Sequence, residues 1–90
     1  MTTTVVNRRK NSYDVYVGRP TKYGNPFQIG IDGDRDEVIE KFRTWIMQPE
    51  HKWLRNDARR ELRGKRIACW CHPQQCHGDI LAEIAESELE

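Results

Sequence analysis

The order of apolar and polar positions divides this chain into elements before any other property is considered. Thr3-Thr4-Val5-Val6-Asn7 and Tyr13-Asp14-Val15-Tyr16-Val17 are short runs rich in β-branched and aromatic residues, separated by a polar Arg-Arg-Lys-Asn-Ser link, and Gly18 stops the second. They predict two strands. From Gly18 to Phe27, Pro20, Pro26 and the Gly24-Asn25-Pro26 triplet exclude a helix and interrupt any central strand, which predicts an ordered loop.

Helical spacing follows. Val38, Phe42, Trp45 and Ile46 recur at i, i+4, i+7 and i+8 behind Asp34 and Glu37, the Asp-x-x-Glu signature of a capping box, so a helix runs from there to a stop before Pro49. Trp53, Leu54, Ala58 and Leu62 predict a second helix, closed by Gly64 in the left-handed cap conformation. Arg66-Ile-Ala-Cys-Trp-Cys71 is a continuous apolar run of strand length, the kind buried on both faces. Ile80, Leu81, Ile84, Ala85 and Leu89 line one side of a last helix. The order β-β-loop-α-α-β-α implies a small single-domain α/β sandwich over residues 1–90, with a short sheet of about three strands or more and about three helices packed on it.

Composition agrees with a globular chain. The sequence is 37% hydrophobic and 32% charged, but it carries three tryptophans, three tyrosines and two phenylalanines, which disordered segments lack. At 90 residues only about 60–65% of the unfolded surface can be buried, so there is one core. The Met-Thr-Thr-Thr-Val-Val start has no basic leader, and no run reaches the length of a membrane span, so no membrane role is expected and the expected place is the cytoplasm. An odd number of cysteines, three, argues for free thiols. Net charge is only +1, but Arg8, Arg9, Lys10, Arg19 and Lys22 make the first quarter basic, whereas Asp79, Glu83, Glu86, Glu88 and Glu90 end the chain without a base.

The candidate chemistry lies in two stretches. Ile67-Ala-Cys-Trp-Cys-His-Pro-Gln-Gln-Cys-His-Gly-Asp79 holds every cysteine and two of the three histidines. Strand alternation puts Cys69 and Cys71 on the face of Ile67, with Ala68 and Trp70 opposite. Cys69 reads as a small core hydrophobe, while Cys71 stands at the carboxyl end of the strand, where open α/β sheets bind ligands. Cys76 and His77 fall at the mouth of the last helix, whose free amides and positive dipole end favour an anion or a thiolate. Cys76 and His77 are thus the candidate catalytic pair, with Asp79 capping the helix or orienting an imidazole and Gly78 allowing a ligand close to the backbone. Zinc held by Cys69, Cys71, Cys76 and His72 or His77 competes, though the usual C-x-x-C knuckle is missing. No cofactor motif is read. In the second stretch, Arg19 suits a phosphate clamp, Tyr23 a base-stacking face and Asn25 a residue that shapes the site, while a structural turn in which Tyr23 and Phe27 plug the core is the equal alternative.

Val5-Val6-Asn7, the block from Asp14 through Arg19-Pro-Thr-Lys-Tyr-Gly-Asn-Pro-Phe27, Leu62-Arg-Gly-Lys65, and Cys69-Trp-Cys71 with Cys76-His-Gly-Asp-Ile-Leu81 together resemble a small domain family of tailed phages and bacteria that is catalogued as a domain of unknown function. The resemblance spans nearly the whole chain. It sets a small residue more often at the position of His72, which favours His77 as the working imidazole, and it implies no activity. A fainter similarity, confined to strand-Cys-turn-Cys-His-helix, links the chain to another uncharacterised α/β family.

If the strands run parallel, the two stretches meet at one edge and form a pocket for a phosphorylated, base-containing small molecule, a nucleotide or nucleoside type of ligand. Binding alone and processing by a hydrolase or transferase both remain open. A non-catalytic accessory module that binds a host protein or nucleic acid, and a zinc-stabilised scaffold, are the alternatives. Nothing in the pattern sets an oligomeric state.

Overall fold

The computed structural model describes residues 2–72 and 74–90, so the part of the expected turn that falls on Pro73 lies outside the described residues. Three strands, β1 (Thr4–Asn7), β2 (Val15–Tyr16) and β3 (Arg66–Cys69), form one sheet in the order β1-β3-β2. Both pairings are parallel. The helices are α1 (Arg35–Ile46), α2 (Lys52–Glu61) and α3 (His77–Ala85), with a 3-10 turn over Pro49–His51 between the first two. The small α/β architecture expected from the sequence is the one found. Among the described residues no helix is long and apolar enough to cross a membrane.

Register explains how the sheet divides its labour. Val5, Ile67 and Val15 are aligned across the three strands, and so are Val6, Ala68 and Tyr16. Successive side chains point to opposite faces, so the first row faces the helices and the second faces away. Ile67 sits in the core cluster with Val17, Phe42, Leu54, Leu62 and Leu81, and Val5 and Val15 pack against it. Val6 and Ala68 are also buried, as the continuous apolar run of β3 implies.

The helices start and stop where local chemistry dictates. Asp34 accepts from the Glu37 amide at 2.9 Å and Glu37 accepts from the Asp34 amide at 3.0 Å, a complete capping box at the head of α1. Gly64 has φ of 75°, the left-handed conformation that ends the α2 segment without a Cβ penalty. From α1, Val38, Ile39, Phe42 and Ile46 are buried, each contributing about 1.5–3 kcal/mol of transfer free energy. Two expectations shift. Trp53 is 55% exposed, so α2 buries Leu54 and Ala58 without it, and Leu89 lies beyond α3 and is 53% exposed.

Arg55 closes the far side of the molecule. It is almost fully buried and donates to the carbonyls of Ile46 at 2.7 Å and Gln48 at 2.8 Å and to both carboxylate oxygens of Glu90. Arg59 adds a bond to the same carboxylate at 2.8 Å.

Two outcomes are expected. Phe42→Ala empties the centre of the core and should cost about 3–5 kcal/mol in chemical denaturation. Glu90 is held by Arg55 and Arg59 at about 2, down from 4.5, so its contribution is present above pH 4.5 and is lost as pH falls toward 2. Glu90→Gln should therefore lower stability at neutral pH and flatten the acid limb of a denaturation series; an unchanged limb would show that the contact contributes nothing.

Candidate functional site

Because all three strands run the same way, the segments leaving β1, β2 and β3 emerge at one edge of the sheet. The loop after β2 is stiffened from within. Val17 donates to Ala68 O at 3.0 Å, extending the ladder, and the Thr21 hydroxyl donates to Gly18 O at 2.6 Å. Asn25 then uses both polar atoms of its amide within the fold: its Nδ2 donates to Val38 O of α1 at 3.2 Å and its Oδ1 accepts from the Phe27 amide at 2.9 Å. Lys22 pairs with Asp57 at 2.9 Å and with Glu61 at 3.0 Å, which ties the other side of the loop to α2.

The segment after β3 carries the sulfurs. β3 ends at Cys69, two residues earlier than the apolar run suggests, because its partners run out at Asn7 and Tyr16. Cys69 points to the helix face, like Ile67, and there meets Cys76 with the two sulfurs 2.9 Å apart. All three cysteines are free, and only Cys71 is partly exposed. The Cys69 thiol is lowered from 9.0 to about 6, first by the hydrogen bond from Cys76 and then, against the cost of burial, by the His72 and Cys71 amides. Cys76 moves the other way, pushed up by its hydrogen bond with Cys69 and by burial. The two thiols therefore titrate as a pair, with Cys69 the one shifted toward ionisation.

The edge encloses a cavity of about 380 Å³ lined by Arg19, Asn25, Cys71, Cys76 and His77 together with Cys69, Arg35, Trp70 and Tyr16. The two sequence stretches thus share a hollow, within the size range of small-molecule sites. Several proposed roles change once the contacts are counted. Tyr23 is 3% exposed, and its hydroxyl donates to Glu61, so it plugs the core against α2 and offers no stacking face. Burial, and then Glu61, push its phenol up. Gly78 does not line the cavity; a Cβ there would lie 3.2 Å from the Cys76 sulfur and 3.3 Å from Val5 Cγ1, so the missing side chain lets α3 sit close on β1. Asp79 accepts from the Cys76 amide at 3.1 Å, which is its capping role, and among the described residues it makes no hydrogen bond to an imidazole. Cys69 is buried as the core reading expected, and of the two thiols it is the one shifted down while Cys76 is shifted up.

His77 is more constrained than a free acid-base group. Its Nε2 lies 2.8 Å from Val17 O, which requires that nitrogen to carry the proton and donate, and its ring meets Phe42 edge-on at 5.2 Å between centroids. Burial and the Arg19 charge lower its pKa, so the ring is neutral at pH 7. This bond pins the start of α3 to the end of β2. Among the described residues no group of three or more His, Cys, Asp or Glu side chains is arranged to hold a metal ion.

Residues that the sequence reading passed over complete the wall. Arg35 opens α1 and donates to Gln75 O at 3.2 Å, and Trp70 donates from Nε1 to the Tyr16 hydroxyl at 2.9 Å. Strand alternation had placed Trp70 opposite Cys69, and that was the available signal for an aromatic group at this edge. The head of a capped helix gave no comparable signal for Arg35.

Fold and site together define a small parallel α/β domain with an arginine- and sulfur-lined hollow at the carboxyl edge of its sheet. The chain belongs to the family described as "Domain of unknown function (DUF4326)", which matches residues 3–87. It is 39% identical to the "Uncharacterized 12.4 kDa protein in nrdA-td intergenic region" of Enterobacteria phage T4, over 89% of this chain and 74% of that one. An uncharacterised protein of Acanthamoeba polyphaga mimivirus is 32% identical, over 88% of this chain and 75% of its own length. No solved structure matches the chain significantly.

The sulfur pair has a titration signature. A thiol whose folded pKa is depressed stabilises the protein above its unfolded value and loses that contribution as pH falls through the folded one, so Cys69 should add stability as pH rises from about 6 to 9.0. Melting temperatures of the wild type should rise across that window relative to Cys69→Ser, and Cys76→Ala should push the thiolate absorbance of Cys69 to higher pH. Parallel curves for wild type and Cys69→Ser would remove the charge from this pair.

Proposed function

We propose that this domain binds a nucleotide- or nucleoside-type ligand in the cavity at the sheet edge. One observation supports the reading above the others: Arg19, Arg35, Trp70, Tyr16 and Phe27 line the same hollow, so guanidinium groups and aromatic faces are available to one small molecule. Guanidinium groups match phosphate oxygens bidentately, and aromatic rings take a base through its face. An acyl or peptide ligand has use for only part of this set.

The polar groups divide into those already used and those still free. Asn25, Asp79 and the Nε2 of His77 make their hydrogen bonds within the fold. They shape the hollow and do not reach for the ligand. Arg19 makes no salt bridge among the described residues, and Arg35 makes only one bond to a carbonyl, so both keep donors for an anion. If the bound molecule is also processed, Cys69 and Cys76, whose sulfurs lie 2.9 Å apart in the cavity wall, are the candidate nucleophiles. His77 then serves as a positioning residue that fixes the start of α3.

The test is a thermal-shift series with nucleosides and their mono-, di- and triphosphates. A ligand at a hundred times its Kd stabilises by about 2.7 kcal/mol, which raises Tm by about 10 °C or more in a domain of this size. Charge-assisted hydrogen bonds contribute about 1.5–3 kcal/mol each, so Arg19→Ala should weaken binding by roughly tenfold or more without lowering the melting temperature of the free protein. Absence of a shift with every compound at millimolar concentration would sink the proposal.

A further inference from the structure

The outer face of the sheet continues past the cavity as a stack of cations and aromatic rings. Strand parity puts Val6 and Arg8 on the same face as Ala68 and Trp70, with Tyr16 in register with Ala68. The Arg8 amide donates to Cys69 O at 2.9 Å, so the ladder still holds its backbone when its side chain turns outward. Its guanidinium lies over both rings, 4.5 Å from the Tyr16 centroid and 4.9 Å from that of Trp70, and Arg9 lies 5.1 Å from Trp70.

This arrangement is braced. Asn7 donates to His72 O at 2.7 Å and to Trp70 O at 3.3 Å, and its Oδ1 accepts from the Arg9 amide at 2.9 Å. One side chain therefore fixes the segment after β1 against the segment after β3. Trp70 remains 48% exposed. Arg8, Arg9, Lys10, Arg19 and Arg35 all belong to segments at this edge, and among the described residues none of them forms a salt bridge. Elsewhere Lys22, Arg43, Arg55, Arg59 and Arg60 are each paired with a carboxylate, while Lys41, Lys52, Arg63, Lys65 and Arg66 are spread singly and form no salt bridge among the described residues.

A ligand confined to the hollow would leave Arg8, Arg9 and Lys10 without a counterpart. Successive phosphates and successive bases, spaced along a flexible strand, would use them. Resting on the nucleotide reading of the cavity, we infer that the nucleotide held there is one unit of a single-stranded nucleic acid, whose adjoining units run over Arg8, Arg9 and Trp70. The cavity takes one unit, the guanidinium-aromatic stack receives the next bases, and the unpaired charges follow the backbone.

The experiment compares short single-stranded oligonucleotides with the matching mononucleotides on the full chain, read by Trp fluorescence and by anisotropy of a labelled strand. The oligonucleotide should bind at least about tenfold more tightly than the mononucleotide. Its affinity should fall with salt by about 0.7 log units per log unit for each phosphate contacted. The double substitution Arg8→Ala, Arg9→Ala should remove most of the oligonucleotide's advantage and flatten the salt slope, with a much smaller change in mononucleotide affinity. Arg8→Lys, Arg9→Lys should keep the slope and lose part of the affinity, which separates charge from stacking. If mononucleotides bind and oligonucleotides bind no more tightly, the polymer inference falls and the cavity reading stands. If neither binds, both fall. If Arg8 and Arg9 only shield Trp70 from water, the double alanine variant will melt lower and bind the oligonucleotide as the wild type does, which also overturns the inference.

Discussion

The parallel pairing of β3 with both of its neighbours is the constraint on which everything else in this molecule depends. Two strands that bracket a third in the same direction must deliver their exits to one edge, and their connections must cross a face of the sheet. Here the crossover from β2 to β3 contains α1 and α2, and α3 follows β3. Had β2 run antiparallel to β3, the Arg19 loop would leave at the amino edge, away from Cys69, Cys76 and His77. The shared cavity follows from strand direction before it follows from any side chain.

Strand direction also decides how much polar chemistry the edge must spend on itself. Three exits crowded together expose backbone groups that need partners. Asn7 joins the first exit to the third, Asn25 joins the second to α1, and His77 joins α3 to the second. These residues look functional in the sequence because they are polar, clustered and flanked by glycine and proline. Their hydrogen bonds show that they hold the loops in place. What remains without a carboxylate partner among the described residues is a shorter set: the Arg8, Arg9, Arg19 and Arg35 guanidinium groups, beside a half-exposed Trp70.

The elements were legible in the sequence wherever local chemistry decides them. The capping box of Asp34 and Glu37, the left-handed Gly64 and the stripe from Val38 to Ile46 fix α1 and the end of α2 with no reference to the rest of the chain. The site was legible as composition but not as roles. Alternation correctly put Cys69 on the face of Ile67. Which thiol is shifted down depends on the Cys71 and His72 amides and on Cys76 lying across from it, and these are contacts that no spacing rule encodes. Tyr23 was misplaced for a related reason. A tyrosine between two prolines can face water or the core with equal local ease, and only the position of Glu61 on α2 settles its direction.

Net charge was the least informative quantity, and the fold explains why. The acids at the end of the chain are drawn onto the basic helices: Glu83 meets Arg43 at 3.1 Å, and Glu90 meets Arg59 at 2.8 Å and closes on buried Arg55. Asp57 and Glu61 likewise take Lys22, the one basic residue of the first quarter that points away from the edge. Most of these pairs join one helix to another element of the chain. A total of +1 does not tell where the unpaired cations lie, and Arg8, Arg9, Lys10, Arg19 and Arg35 gather five of them at the rim where the strands exit. An approaching anion responds to the local field within about 8–10 Å at ordinary ionic strength. The rim, and not the total, is what it meets.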